Sequence, residues 1–211
     1  VPKGLVNIVP TSTSGDWLDA VVDHRAVRML SFTGSTEGGR VLLKRCADRV
    51  LKTVMELGGN APFLVFDDAD IDAAVEGAMI AKMRHSAETC TAANRFYVEA
   101  GAVDEFTEKF AAAMGKVQIG SGFTDGVTCG PMINKKAVAD IDGLVQGAVS
   151  AGASILLGGA PGPGAGCFYL PTVLRDVAHE SPIAKEEIFG PVAPIITFTD
   201  HDEVVRQAND T

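Results

Sequence analysis

Cysteine is scarce. Cys46, Cys90, Cys129 and Cys167 are the only four in 211 residues, and no two form a CxxC pair. That excludes a small disulfide-stapled scaffold, and the four read as reduced thiols of an intracellular protein. Histidine is as thinly spread: His24, His85, His179 and His201 stand apart, with none at i, i+4 spacing and none beside a cysteine. No metal site is therefore expected. Positive charge is also short, since 18 Lys and Arg face 27 Asp and Glu, for a net charge of −9. Nucleic acid and anionic membrane need clustered Lys and Arg, so neither is an expected partner. Long apolar runs are missing as well. The longest uncharged stretch, Gly143–Leu174, would span a bilayer by count, but eight Gly and three Pro interrupt it. With no charged-then-apolar leader after Val1, the chain reads as a soluble, cytoplasmic protein, and as an internal fragment of a longer one.

What is present is globular in balance: 46% hydrophobic and 21% charged residues, which excludes a disordered chain. Strands are expected at Gly4–Val9, Val27–Phe32, Leu51–Leu57, Phe63–Phe66, Arg95–Val98, Ser154–Leu157 and Val192–Phe198. Between them, helical spacing predicts helices at Ser14–Val22, from Ser35 or Thr36 onward with Val41, Leu42 and Leu43 buried, and from Asp67–Asp70 to about Arg84. Further helices are expected at Val103–Met114, Lys135–Ala151 and Asp202–Ala208, with Gly158–Gly166 as a surface loop. Strand–helix alternation of this kind predicts an α/β fold around a parallel sheet.

Three places could carry chemistry. Cys90 lies in Thr89-Cys90-Thr91-Ala92, between a helix and a strand, where a thiol can reach a substrate; an inert core thiol is the competing reading. Glu56 ends an apolar strand just before Gly58-Gly59, at the C-terminal edge of a parallel sheet, where ligands collect. Desolvated there it would accept a proton, and turned to water it would be an ordinary strand-end acid. Thr33-Gly34-Ser35 joins a strand to a helix and could cradle a phosphate, although it is not a GxGxxG fingerprint and a plain turn explains it equally well.

Taken in order, Phe32-Thr33-Gly34-Ser35-Thr36, Glu56-Leu57-Gly58-Gly59-Asn60, Thr89-Cys90 with Asn94-Arg95, Gly130-Pro131-Met132-Ile133, Pro171-Thr172-Val173 and Glu186–Val192 resemble the NAD(P)-dependent aldehyde dehydrogenase superfamily. The succinate-semialdehyde dehydrogenases are the nearest branch. The resemblance runs through nearly the whole chain and implies a parallel-sheet aldehyde dehydrogenase-like fold. Residues 1–58 would be the C-terminal part of a Rossmann-like cofactor domain and residues 59–211 a truncated catalytic domain. It also implies oxidation of an aldehyde to the acid with NAD or NADP. Cys90 would be the nucleophile and Glu56 the base that activates the hydrolytic water, while Gly34, Ser35, Leu57, Glu187 and Phe189 would contact the cofactor. Arg84 would grip a distal carboxylate on the substrate, since a guanidinium fork suits that group. On this resemblance the partners are a small-molecule aldehyde and further copies of the chain, as dimer or tetramer. Family members are more than twice as long, so the isolated piece is expected to be inactive or a poor catalyst.

The departures sit beside the nucleophile. Where the family pattern has Asn, then Gly-Gln, before the cysteine, this chain has His85-Ser86-Ala87-Glu88-Thr89-Cys90. Glu88 would tend to raise the thiol pKa, and a protonated His85 would offset it. Ala92 stands where some relatives carry a second cysteine, so a local redox pair is absent. Two other classes stay open: a non-catalytic α/β fragment, and a cysteine hydrolase that pairs Cys90 with a histidine, of which His85 is a candidate.

Overall fold

The computed structural model describes residues 1–211 and divides into two compact units, Val1–Gly58 and Gly59–Thr211. In the first unit, β1 (Met29–Thr33) and β2 (Lys52–Glu56) pair in parallel, with Thr33 opposite Glu56 at their C-terminal ends. Two helices accompany them, α1 (Ser14–Val22) and α2 (Thr36–Ala47). Ser35 starts α2 because its extended backbone lets the side-chain oxygen accept from the Gly38 N–H at 3.1 Å. The buried face of α2 is Gly39, Leu42 and Cys46, at i, i+3, i+7 spacing, and these close on Val22 and Leu30. Only Leu42 of the expected Val41–Leu43 trio is buried; Val41 and Leu43 lie roughly 100° to either side of it and stay exposed. The expected strand at Gly4–Val9 does not form. Leu5, Val6, Ile8 and Val9 are all exposed and pair with no other strand, and an extended apolar run becomes a strand only through a partner's ladder.

The second unit is a five-stranded sheet in the order β3-β4-β7-β6-β5, formed by Ala61–Val65, Ala93–Glu99, Val192–Phe198, Thr172–Arg175 and Ser154–Leu157. All neighbours are parallel except β5 against β6. Helices cover both faces, so the central strands are buried on both sides, as parallel sheets require. Under α3 (Ile71–Met83) and α4 (Val103–Met114) lie Phe96, Val98, Phe106, Phe110, Val173 and Ile195. Under α5 (Lys135–Ser150) and the short α6 (Pro182–Lys185) lie Tyr97, Ile141, Val145, Leu174, Val192 and Ile196. Consecutive residues of one strand thus feed opposite cores, which is the period-2 geometry of a strand made visible. The last helix, α7 (His201–Ala208), is held by the fully buried Arg95, which donates to the carbonyls of Asn60, Gln207 and Ala208. Asp70 caps α3 by accepting from the Ala73 N–H, so the acidic start reads as a cap. Strand β6 and helix α6 were not expected from the sequence. No helix is long and apolar enough to cross a membrane.

Candidate active site

In the first unit, Gly34 follows the last residue of β1, and its N–H donates to the Glu56 carbonyl at 3.0 Å. Packing is close here: a β-carbon at position 34 would lie 2.4 Å from the tip of the Phe32 ring, which would have to shift to admit it. The Ser35 hydroxyl is engaged in capping α2, whose first turn points free N–H groups toward solvent, the usual seat of a phosphate. Beside it opens an apolar cleft of about 440 Å³ lined by Trp17, Leu18, Phe32, Val41 and Leu42. Leu57 packs its side chain against Gly39, where a β-carbon would come within 2.6 Å of it. Glu56 is exposed and makes no side-chain hydrogen bond, so the desolvation expected of it is not found.

In the second unit, Cys90 sits in a turn between the end of α3 and β4 and is exposed. Cys46 and Cys129 are buried, and Cys167 is half-buried. The Cys90 N–H makes no hydrogen bond within the chain and is free to bind an oxyanion. Its carbonyl rests on Gly59, where a β-carbon would lie 2.6 Å from the oxygen. The Gly59 N–H donates to Glu187 Oε1 at 3.1 Å, so one peptide seats both the Cys90 turn and the Glu187 side chain. Glu187 is therefore half-buried and bonded, not the solvated acid its position beside Lys185 suggests. Phe189, two residues on, is 41% exposed and has φ 49°, a left-handed backbone that is rare and strained for a bulky residue. With Glu186, Glu187 and Ile188 it borders an open cleft of about 670 Å³ against α5. Arg84, at the end of α3, is exposed and makes no hydrogen bond or ion pair.

Sequence reasoning missed a polar column beneath this turn. Lys82 is fully buried, and its ammonium donates to Asn94 Oδ1 at 3.1 Å, while the Asn94 amide donates to the Gly59 carbonyl at 3.3 Å. With no carboxylate nearby, burial alone pulls the Lys82 pKa down to about 7. The signal was the spacing Val75, Ala78, Lys82, which puts the lysine on the inner stripe of α3. The residues that depart from the family pattern also have distinct places. His85, Ser86 and Ala87 have φ of 52°, 57° and 64°. For L-residues that backbone costs about 1–2 kcal/mol each. Glu88 turns inward and accepts from the Ile133 N–H at 3.1 Å; burial raises its pKa and that hydrogen bond opposes the rise. Its charge is felt at Cys129, whose thiol is pushed up first by burial and then by the Glu88 carboxylate. No hydrogen bond joins the His85 ring to Cys90.

Although the histidines are scattered in sequence, the fold gathers His179, Glu180 and Asp210 with ligand atoms within 4.8 Å of one another. The Lys185 ammonium occupies the place a cation would take, 2.5 Å from Asp210, 2.9 Å from His179 Nε2 and 3.4 Å from Glu180. Asp210 holds Lys185 above its ordinary pKa and is itself held below its own. The cluster is an ion-paired clasp on the end of α7.

A glutarate-semialdehyde dehydrogenase of Pseudomonas aeruginosa is 48% identical over 211 residues, covering 100% of this chain and 44% of the relative. A succinate-semialdehyde dehydrogenase of Paenarthrobacter nicotinovorans is 50% identical over 209 residues, covering 99% of this chain and 46% of the relative. The crystal structure of succinate-semialdehyde dehydrogenase from Burkholderia pseudomallei superposes with a TM-score of 0.95 at 45% identity, over 100% of this chain and 44% of that one. The chain thus spans less than half the length of these relatives. A sequence model described as the aldehyde dehydrogenase family matches residues 1–211 from end to end, and with a parallel-sheet fold that superposes on a solved member, the chain belongs to that family.

Proposed function

We propose that the protein oxidises a carboxylate-bearing aldehyde, succinate semialdehyde or one close to it in length, to the acid with NAD or NADP. The observation that carries this reading is the Gly59 peptide, which seats the turn of an exposed cysteine on one side and the Glu187 carboxylate on the other. Cys90 attacks the aldehyde carbon as a thiolate, and its own N–H, unpaired within the chain, steadies the oxygen as charge develops. Glu56 takes the proton from the water that releases the acyl group from sulfur. Its exposure suits a base that works on water rather than one paired to the thiol.

The first unit fits a dinucleotide. The capped start of α2, with Gly34 and Ser35, would take the pyrophosphate, and the apolar cleft at Trp17 and Val41 would take a flat ring. Glu187 would accept from ribose hydroxyls, with Phe189 against the nicotinamide and Leu57 shaping the turn before Gly58. When bound, that cofactor supplies a hydride acceptor. Arg84 has an uncommitted guanidinium, which supports a role in holding the substrate's distal carboxylate. The relatives' names, which include both succinate and glutarate semialdehydes, support the same substrate class at two chain lengths. By the same family reading the complete protein is a cytoplasmic homo-oligomer, which light scattering after size exclusion tests.

The test is oxidation of aldehydes by the complete protein with each nucleotide. Cys90→Ser is expected to abolish nucleotide reduction, and Glu56→Gln to accumulate acyl-enzyme with little turnover. Undiminished steady-state oxidation in Glu56→Gln would remove that role. Arg84→Met should raise KM for succinate semialdehyde about 10–100-fold while sparing an uncharged aldehyde of similar length. Equal kcat/KM for the two aldehydes in the unaltered protein would overturn the substrate class.

A further inference from the structure

The Gly130–Ile133 segment, given no part in the proposed reaction, touches the loop that carries Cys90 at two points. The Gly130 N–H donates to Ser86 Oγ at 2.8 Å, and the Ile133 N–H donates to Glu88 Oε1 at 3.1 Å. The segment is itself well anchored: Cys129 is fully buried, Met132 nearly so, and the Met132 N–H donates to the Cys167 carbonyl at 2.7 Å. The loop is the opposite. Its three consecutive residues His85, Ser86 and Ala87 hold left-handed backbone that none of them favours, and locally it is closed by Glu88 N–H to His85 carbonyl, Ala92 N–H to Thr89 carbonyl and a Thr89–Thr91 hydroxyl hydrogen bond at 3.3 Å. A conformation this unfavourable persists only where the surroundings impose it.

We propose that Ser86 and Glu88 are positioning residues that clamp the nucleophile loop onto the Gly130–Ile133 segment, so that the Cys90 sulfur is presented in one orientation. The inference rests on the nucleophilic role proposed for Cys90. Without the two straps the loop relaxes toward right-handed backbone and carries the sulfur with it, and a displacement of about 1 Å is enough to cost on the order of 10²-fold in rate. Only an acceptor oxygen is needed at position 88. Glutamine should therefore serve there and alanine should not, which accounts for a Glu standing where the family pattern has Gln.

The experiment compares Ser86→Ala/Glu88→Ala, Glu88→Gln and Cys90→Ser in the complete enzyme, by steady-state kinetics and by the rate of iodoacetamide labelling at Cys90 read from its peptide mass. The double variant is expected to lose about 10–100-fold in kcat with KM within about 3-fold, and to change its labelling rate. Glu88→Gln should stay within about 3-fold of the unaltered enzyme in both. If the double variant does not fold, Glu88→Ala against Glu88→Gln decides on the same readouts. Unchanged kcat and labelling in the alanine variants, or a Glu88→Gln as defective as they are, overturns the clamp. Full turnover by Cys90→Ser would instead overturn the nucleophile, while a labelling change at Cys90 would still report the clamp.

Discussion

The two units bury their apolar residues very differently. Val1–Gly58 has a four-residue buried cluster, Val22, Leu30, Leu42 and Cys46, beneath a two-stranded sheet, and leaves Trp17, Met29, Val41 and Val54 partly or largely exposed. Gly59–Thr211 sandwiches a five-stranded sheet between two extensive cores and buries Phe96, Phe106, Phe110 and Ile195 completely. Two strands alone are marginal in water, whereas a sheet covered on both faces is not. Within these 211 residues the packing beneath the proposed site residues is therefore uneven. Cys90 and Glu187 rest on the deeply packed unit; Glu56, Gly34 and Ser35 ride on the thinly packed one.

The comparison can be broken most directly in the cores. Phe106→Ala is expected to destabilise by about 3–5 kcal/mol, against about 2 kcal/mol for Leu42→Ala, whose site is shallower and closes more easily. Urea melts measure both, and equal losses would erase the distinction. Hydrogen exchange sharpens it: amides of β4 and β7 should outlast those of β1 and β2. Next in size is the buried lysine. Lys82 has a folded pKa of about 7 against 10.5 in its ordinary state, so between those values the unfolded chain binds more protons and stability rises with pH. Below about pH 7 the penalty is fully present, on the order of a few kcal/mol. Lys82→Met should flatten that rise, and a variant whose melting temperature tracks the unaltered protein from pH 7 to 10 would contradict the assignment. The smallest effect is expected from Ala87→Gly, which removes the β-carbon from a φ of 64°. A gain of up to about 1 kcal/mol, reduced by the freer unfolded chain, should appear as a rise of a few degrees in Tm. A fall in Tm would mean the left-handed stretch is not strained.

Where a segment's own side chains determine its state, the sequence was a sufficient guide. Val103–Met114 and Val192–Phe198 form as read, one from an amphipathic stripe and the other from a β-branched run. Strand β6 escaped because Thr172, Val173 and Leu174 are buried on both faces, leaving no alternation to detect in four residues. Gly4–Val9 differs for the converse reason, since its composition suits a strand but composition does not supply a neighbouring strand to pair with. The site divides along the same line. That Cys90 lies in a turn, and that Glu56 ends a strand, follow from local pattern. The straps from Ser86 and Glu88 join positions 44 and 45 residues apart, and the Gly59–Glu187 bond spans 128. Contacts at such range depend on the finished fold. Asn94 and Arg95 belong to this class too: legible as a motif, yet acting as scaffold, one beneath Gly59 and the other fastening α7.

Position 59 has a consequence of its own. A residue with no side chain, no charge and no capacity for proton transfer is the floor on which the proposed nucleophile and a proposed cofactor-binding carboxylate stand. Adding a single methyl there would push the Cys90 carbonyl away and loosen the grip on Glu187 in the same stroke. A saturation scan would then score this glycine among the most sensitive sites in the protein, although it performs no chemistry at all.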